Sequence, residues 1–343
     1  MKLRAISRYH WITRINPHCS NRRQVRTAGF APSGRRRSLG RGWPPLRTQR
    51  RRDMPSGLRK GREGAGRMVR SRLLEALALA VLVAGCSARS EPAPASQAAQ
   101  RSIPLPPGYL PGYLPAGATP NSLTLLPPPP APGSAAQARD DAAAKAAVAR
   151  AGGPRWRQAV EDADLHFPKV AETFSCALGV RITEADTPHL YTLLRRSLVD
   201  VGLSTYPTKN KYQRGRPFMV DGGPICTPAD EETLRKDGSY PSGHSAIGWG
   251  WALILVEAAP ERADAILARG RAFGQSRVEC NVHWLSDTEE GRVMASGVVA
   301  RLHDEAAFQA DLAAARTEID AARAKGLGPT RDCAEEAAQL AAG

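Results

Sequence analysis

Acidic residues are nearly missing from the start of this sequence. Residues 1–67 hold 19 Lys+Arg against two acids, Asp53 and Glu63. That segment alone carries +17, more than the whole chain's formal +15, so the other 276 residues sum to −2. A nucleic-acid partner, which the total charge would suggest, is therefore excluded for the body of the protein. Also missing beyond the N-terminal region is any apolar run near the roughly 18 uncharged residues that a membrane-spanning helix needs. Cysteine is sparse, six in 343 residues. No two cysteines have Cys-x-x-Cys spacing, which argues against thiolate zinc sites and thioredoxin-like redox sites. Strand signals are scarce as well.

The first 67 residues do not read as a domain. Arg35-Arg36-Arg37 and Arg50-Arg51-Arg52 sit among Gly, Pro and Ser with no sustained apolar periodicity. A basic nucleic-acid-binding arm, a disordered extension, and a translation start assigned too far upstream are three readings of this segment. The residues from Met68 onward favour the third. Met68-Val69-Arg70-Ser71-Arg72 is a short basic stretch, and Leu73 to Ala84 is apolar apart from Glu75, the length of a signal-peptide core. It ends in Val83-Ala84-Gly85-Cys86, which resembles the bacterial lipoprotein signal; ordinary cleavage near Ala88 is the alternative. Met68 is thus the expected initiator, 68–85 the signal, and Cys86 the lipidation site that anchors the chain without a spanning helix. Export leaves Cys176, Cys226, Cys280 and Cys333 in an oxidising compartment, where they suggest two disulfides with three pairings open.

Residues 86–134 are expected to be a tether rich in Pro and Ala. It includes the tandem Pro107-Gly-Tyr-Leu-Pro-Gly-Tyr-Leu114, leucines 123, 125 and 126 that could pin its end to a domain, and a stiff Pro127–Pro130 run. From about 135 the pattern is helical. Thr187-Pro188 is a cap followed by proline at the first helical position; Leu190, Leu193, Leu194, Leu198 and Val201 follow, and Gly202 is the expected stop. Thr227-Pro228 opens a second helix expected to close at Gly238. Ser245–Ala258 is mostly apolar, Pro260 restarts a helix through Ile266 and Leu267, and Asp304–Ala324 is an Ala-rich exposed helix that could serve a homodimer. These features predict an all-α helical bundle over 135–325, with a short C-terminal tail over 326–343.

Three segments concentrate phosphate-binding groups in this Ala- and Leu-rich background. They are Lys209-x6-Arg216-Pro217; Pro241-Ser242-Gly243-His244; and Ser276-Arg277-x5-His283-x3-Asp287. His283 and Asp287, four apart, share a face if they lie on one helix, so the carboxylate can fix one ring nitrogen and free the other to attack. Ser242 and Gly243 ahead of a helix offer backbone N–H groups and the positive end of its dipole to an anion. Arg216 and Arg277 supply planar forks for phosphoryl oxygens, and Lys209 a point charge. His244 is placed to give a proton to a leaving alkoxide. Any one segment alone reads as a cap, a turn or a helix-face histidine. All three in order within residues 209–287 read as a covalent phosphoryl-transfer site.

The array resembles the signature of the type 2 phosphatidic acid phosphatase superfamily. Its wording resembles the class A bacterial nonspecific acid phosphatases, notably at Pro120-Asn121-Ser122-Leu123, Leu126–Pro130, Gly238–His244 and His283-Trp284-x-Ser286-Asp287. The likeness spans roughly 109–325. It implies a helical, metal-independent phosphomonoesterase with no cofactor, acting on a broad range of small phosphomonoesters at acidic pH in the bacterial periplasm. Under it His283 is the nucleophile that forms a phosphohistidine, Asp287 its orienter, and His244 the general acid and then base. Lys209, Arg216, Ser242, Gly243 and Arg277 bind phosphate. Acidic activity fits, since His244 must start protonated among three cations.

Three departures from the family's wording are Ser245 after the Pro-Ser-Gly-His, Glu279 at a usually apolar position, and Thr288-Glu289-Glu290 after Asp287. Glu279 is expected to face outward from the turn before the helix. Cys280, three residues before the nucleophile, suggests a Cys226–Cys280 bridge at the site's rim, leaving Cys176–Cys333 to hold the C-terminal tail. Two other activities share the motifs: a vanadate-dependent haloperoxidase, and a tethered lipid-phosphate phosphatase. A phosphate-binding lipoprotein without catalysis would not require His244, His283 and Asp287 together.

Overall fold

A computed structural model describes residues 109–343. The segments expected to be a basic leader, a signal with the lipidation site Cys86, and a tether as far as 108 lie outside the described residues.

The described residues form α-helices and short 3-10 turns, with no strand among them. The helices are α1 (Ser122–Leu125), α2 (Ala135–Val148), α3 (Pro154–Asp162), α4 (Ser175–Leu178), α5 (Pro188–Leu203), α6 (Tyr206–Tyr212) and α7 (Pro217–Asp221). They continue with α8 (Glu231–Arg235), α9 (Gly243–Ala258), α10 (Ala263–Glu279), α11 (Leu285–Leu302), α12 (Ala306–Ala324) and α13 (Cys333–Ala341). Their starts follow local chemistry. Asn121, Ser134, Ser242 and Asp332 each accept a backbone N–H of the first turn on the side chain. Pro154, Pro188 and Pro217 stand where a missing N–H costs nothing.

The apolar helix α9 is the centre of the bundle, with α5, α10, α11 and α12 around it. Trp251 is fully buried there and donates its indole N–H to Leu194 O at 3.1 Å. Phe174, Leu190, Leu193, Leu194, Ile254, Met294 and Phe308 fill the space around it. Burying each such side chain stabilises the fold by about 1.5–3 kcal/mol. Glycine lets the central helices approach. A Cβ on Gly291 of α11 would sit 2.6 Å from Ser242 O, and one on Gly270 of α10 would sit 2.9 Å from Gly248 O.

Two helix boundaries differ from the sequence expectation. Gly202 does not stop α5, which runs to Leu203; the glycine instead admits Ile247 of α9, whose Cδ1 would lie 3.3 Å from an added Cβ. The segment from Pro228 to Gly238 is not one helix but a 3-10 turn, Pro228–Asp230, followed by the five-residue α8. The packed body also continues past both ends of 135–325. Asp200 accepts the N–H groups of Tyr113 and Leu114 at 2.7 and 3.1 Å, and Tyr113 is buried. At the other end α13 packs on α3. The cysteines join as Cys176–Cys333 and Cys226–Cys280, the pairs anticipated above. No helix among the described residues is long and apolar enough to cross a membrane.

Candidate active site

The three signature segments meet at the N-terminal end of α9. Lys209 lies in α6 and Arg216 caps α7, with Gln213 in the left-handed region (φ 44°) turning the chain between them. Both cations are buried. The Asp237 carboxylate accepts from Lys209 Nζ at 3.2 Å and from Arg216 Nη2 at 3.0 Å. Arg216 is held further by Leu234 O at 2.9 Å and Val282 O at 2.8 Å. Its Nη1 then points at His283 Nε2, 3.1 Å away.

Ser242 is the N-cap of α9, and its own N–H donates to Asp287 O at 2.9 Å, which joins the second and third segments. Its hydroxyl oxygen accepts from Ser245 N at 3.2 Å and lies 3.0 Å from Ser245 Oγ, whose single proton also has Gly274 O within 3.3 Å. At Gly243 an added Cβ would find only Thr205 Oγ1, at 3.7 Å, so the backbone there is open to a close-approaching oxyanion. His244 Nε2 lies 3.0 Å from Ala163 O. A carbonyl only accepts, so Nε2 carries a proton and Nδ1 is the nitrogen that exchanges one.

Arg277 lies in the last turn of α10, and its carbonyl accepts the N–H groups of Val282 and His283, both at 3.2 Å, which folds His283 back toward the end of that helix. Arg277 is 2 % exposed, and its Nε and Nη1 have no partner among the described residues. A buried guanidinium with open donors is a site built for an anion. Burial and the nearby Arg216 lower its pKa to about 10.

His283 does not lie on the helix with Asp287, contrary to the shared-face expectation. It precedes α11, and Asp287, third in that helix, reaches back to accept Trp284 N at 2.9 Å and His283 Nδ1 at 3.2 Å. The spacing therefore works across a helix N-terminus, whose dipole favours the carboxylate. Nδ1–H donates to Asp287, which leaves the Nε2 lone pair as the reactive one. Burial, then Arg216, Lys209 and Arg277, hold the His283 pKa well below the usual imidazole value. Burial and Arg277 do the same to His244. Asp287 is pushed up by burial and pulled back chiefly by Arg214.

Several residues around the site went unread in the sequence. Asp237, which ties Lys209 to Arg216, adjoins the quoted Gly238–His244 run, and a carboxylate there could have been suspected. Asp162 accepts from Ser276 Oγ at 2.5 Å and from Arg269 Nη2 at 2.5 Å, which fixes α10 one residue before Arg277. Arg214 and Asp140 also stand behind Asp287, and nothing in the Ala-rich sequence of α2 marks the latter. Glu279 is buried as the last residue of α10, not outward in a turn. It pairs with Arg150 at 3.1 and 2.5 Å, so its charge is taken up there. Glu289 likewise pairs with Arg139. Cys226 and Cys280 lie with Phe218, Ile225 and Val282 in a small apolar cluster next to the Arg216 and His283 segments.

Residues 189–304 match the PAP2 superfamily, a span holding every phosphate-binding and catalytic candidate named above. An acid phosphatase of Zymomonas mobilis is 44% identical over 211 residues, 60% of this chain and 78% of that protein. A non-specific acid phosphatase of Providencia stuartii is 44% identical over 208 residues, covering 60% of this chain and 84% of the relative. Another from Salmonella typhimurium is 45% identical over 201 residues, with 58% and 80% covered. The chain is thus a phosphatase of the PAP2 superfamily and, within it, belongs to the class A bacterial nonspecific acid phosphatases.

Proposed function

We propose that this enzyme hydrolyses a broad range of small phosphomonoesters without a metal, through a phosphohistidine at His283. The observation that carries the reading is the buried Arg277 fork with two open donors, set beside His283, whose Nδ1 is held by Asp287.

The phosphoryl group enters between Arg277, Arg216, Lys209 and the Ser242-Gly243 turn. These groups neutralise the charge that spreads over its oxygens in the transition state. An incoming oxygen takes over the Arg216 Nη1 donor that rests on Nε2 in the free enzyme. His283 Nε2 then attacks phosphorus while Asp287 stabilises the imidazolium through Nδ1–H. His244 gives the Nδ1 proton to the leaving oxygen, and the alcohol departs. Neutral His244 next takes a proton from water, which attacks the phosphohistidine, releasing phosphate and restoring both histidines. Charge neutralisation is thus assigned to three side chains.

Acidic operation follows from the same groups. His244 must be protonated for the first step, yet burial and Arg277 lower its pKa, so that form is populated on the acid side. The test is p-nitrophenyl phosphate turnover at acidic and neutral pH, with EDTA, beside His283→Ala. Chelator-resistant turnover that the substitution abolishes, by about 10⁴-fold or more, is expected. Activity that needs an added metal, or survives in His283→Ala, overturns the reading.

A further inference from the structure

The signature ends at Asp287, but the hydrogen bonds do not. Asp287 is fully buried, and its two oxygens are divided. Oδ2 faces His283 and Trp284 N, while Oδ1 accepts from Arg214 Nη1 at 2.7 Å. Arg214 leaves that pair with a second nitrogen, Nη2, which donates to Asp140 Oδ2 and to Gln137 Oε1, both at 2.8 Å. Asp140 is fully buried on α2. Its carboxylate also accepts Ser286 N at 2.8 Å and Ser286 Oγ at 2.6 Å. Ser286 is the second residue of α11, so its N–H has no partner inside the helix. Asp140 therefore caps, from another element, the very turn that carries Asp287. The guanidinium plane also lies over the Trp284 ring, 5.2 Å from its centroid.

We infer that Arg214 and Asp140 are positioning residues for Asp287, and through it for the nucleophilic histidine. This rests on the assignment of His283 as nucleophile. Their work is both geometric and electrostatic. A planar fork that spans two carboxylates fixes the rotation of Asp287, and so the line along which His283 Nε2 points. The positive charge also keeps Asp287 ionised in a buried place, against the desolvation that pushes it toward the protonated form. The charged and titratable groups facing Asp287 are His283 before α11, Arg214 and Arg216 from the α6–α7 segment, Lys209 from α6, and Tyr240 ahead of α9. Arg214 is the one that touches its second oxygen. Asp140 lies outside the residues 189–304 that match the superfamily, so an N-terminal helix completes this chain's catalytic apparatus.

The sign is fixed by which form works. Ionised Asp287 is needed, and loss of a neighbouring cation raises a carboxylate pKa by about 1–3 units. The acid limb of kcat/KM should move to higher pH by roughly that amount in Arg214→Gln. Arg214→Lys keeps the charge without the fork, so its limb stays near the wild-type position while kcat falls. Asp140→Asn is nearly isosteric and leaves Arg214 in place but unanchored. There kcat should drop on the order of 10–100-fold, the scale of outer-shell partners of functional histidines, with KM little changed.

Each variant is assayed on p-nitrophenyl phosphate across acidic pH, with its Tm, and with the rate of label transfer to His283 in a single turnover. Substrate ionisation is common to all and cancels. A shifted limb in Arg214→Gln, near-normal in Arg214→Lys, supports the inference. An even loss of activity at every pH in Arg214→Gln, with no movement of its acid limb, means a merely structural role and overturns it. If Arg214→Gln does not fold, Asp140→Asn decides: unchanged kcat overturns the inference, and slowed label transfer at native Tm supports it. Absence of label on wild-type His283 would mark failure of the mechanism itself rather than of this relay.

Discussion

At the scale of single residues, the site is an exercise in buried charge. Lys209, Arg216 and Arg277 are all buried, but among the described residues only the first two are paired with a carboxylate, Asp237. Arg277 keeps two open donors. Removing water from an unpaired cation is costly unless an anion arrives, an unmet demand that, under the proposed mechanism, a phosphoryl group fills. Burial, and after it this same cation, depress the His244 pKa. Arg277→Gln should therefore raise the His244 pKa and move the basic limb of the pH–rate profile to higher pH, while weakening phosphate binding. A basic limb that stays in place in that variant would mean that another group sets it. The motif residues were legible because their types are rare in an Ala- and Leu-rich background. Arg214, Asp140 and Asp237 were not, because each acts by touching another side chain rather than by carrying a spaced signature. Glu279 shows the opposite error: its partner Arg150 is 129 residues away, and no local pattern could reveal it.

At the scale of elements, catalysis depends on how closely helices approach. Asp287 and the Ser242–His244 turn belong to different helices, α11 and α9, and they are brought together where Gly291 faces Ser242 O. Backbone cannot yield as a flexible side chain can. Gly291→Ala should push α11 off α9, lower stability by about 1–3 kcal/mol, and reduce kcat by more than that loss of stability would explain at a temperature where the protein stays folded. Thermal melts paired with turnover check it; a destabilised variant with full kcat would separate packing from chemistry. Helix existence was readable from capping residues, prolines and three-to-four spacing, and α5, α9, α10 and α12 lie close to where these placed them. Two ends were misread for a tertiary reason. Gly202 looks like a stop, yet it is a contact for Ile247, and the Pro228 segment reads as a helix although its last residues serve as carbonyl and carboxylate partners of Arg216 and Lys209.

At the scale of the whole molecule, the superfamily span supplies the candidate phosphate-binding residues, and the described parts outside it pack around them. Helix α2 brings Asp140 to the first turn of α11. Helix α3 brings Asp162 to Ser276, and α13 is stapled by Cys176–Cys333 and joins the buried Arg269 through Glu336 at 3.4 Å. What the sequence treats as a tail is thus part of the body, because its apolar and paired face is visible only once α3 lies against it. The all-α class was legible from the scarcity of strand patterns. Every role assigned to these groups turns on His283 taking the phosphoryl group. The most direct test is rapid quenching into alkaline detergent, where phosphohistidine survives, of wild-type enzyme turning over a radiolabelled phosphomonoester in EDTA, followed by peptide mapping. Label on the peptide bearing His283, absent in His283→Ala, is the expected result. Label on another residue, or none despite turnover, would contradict that assignment.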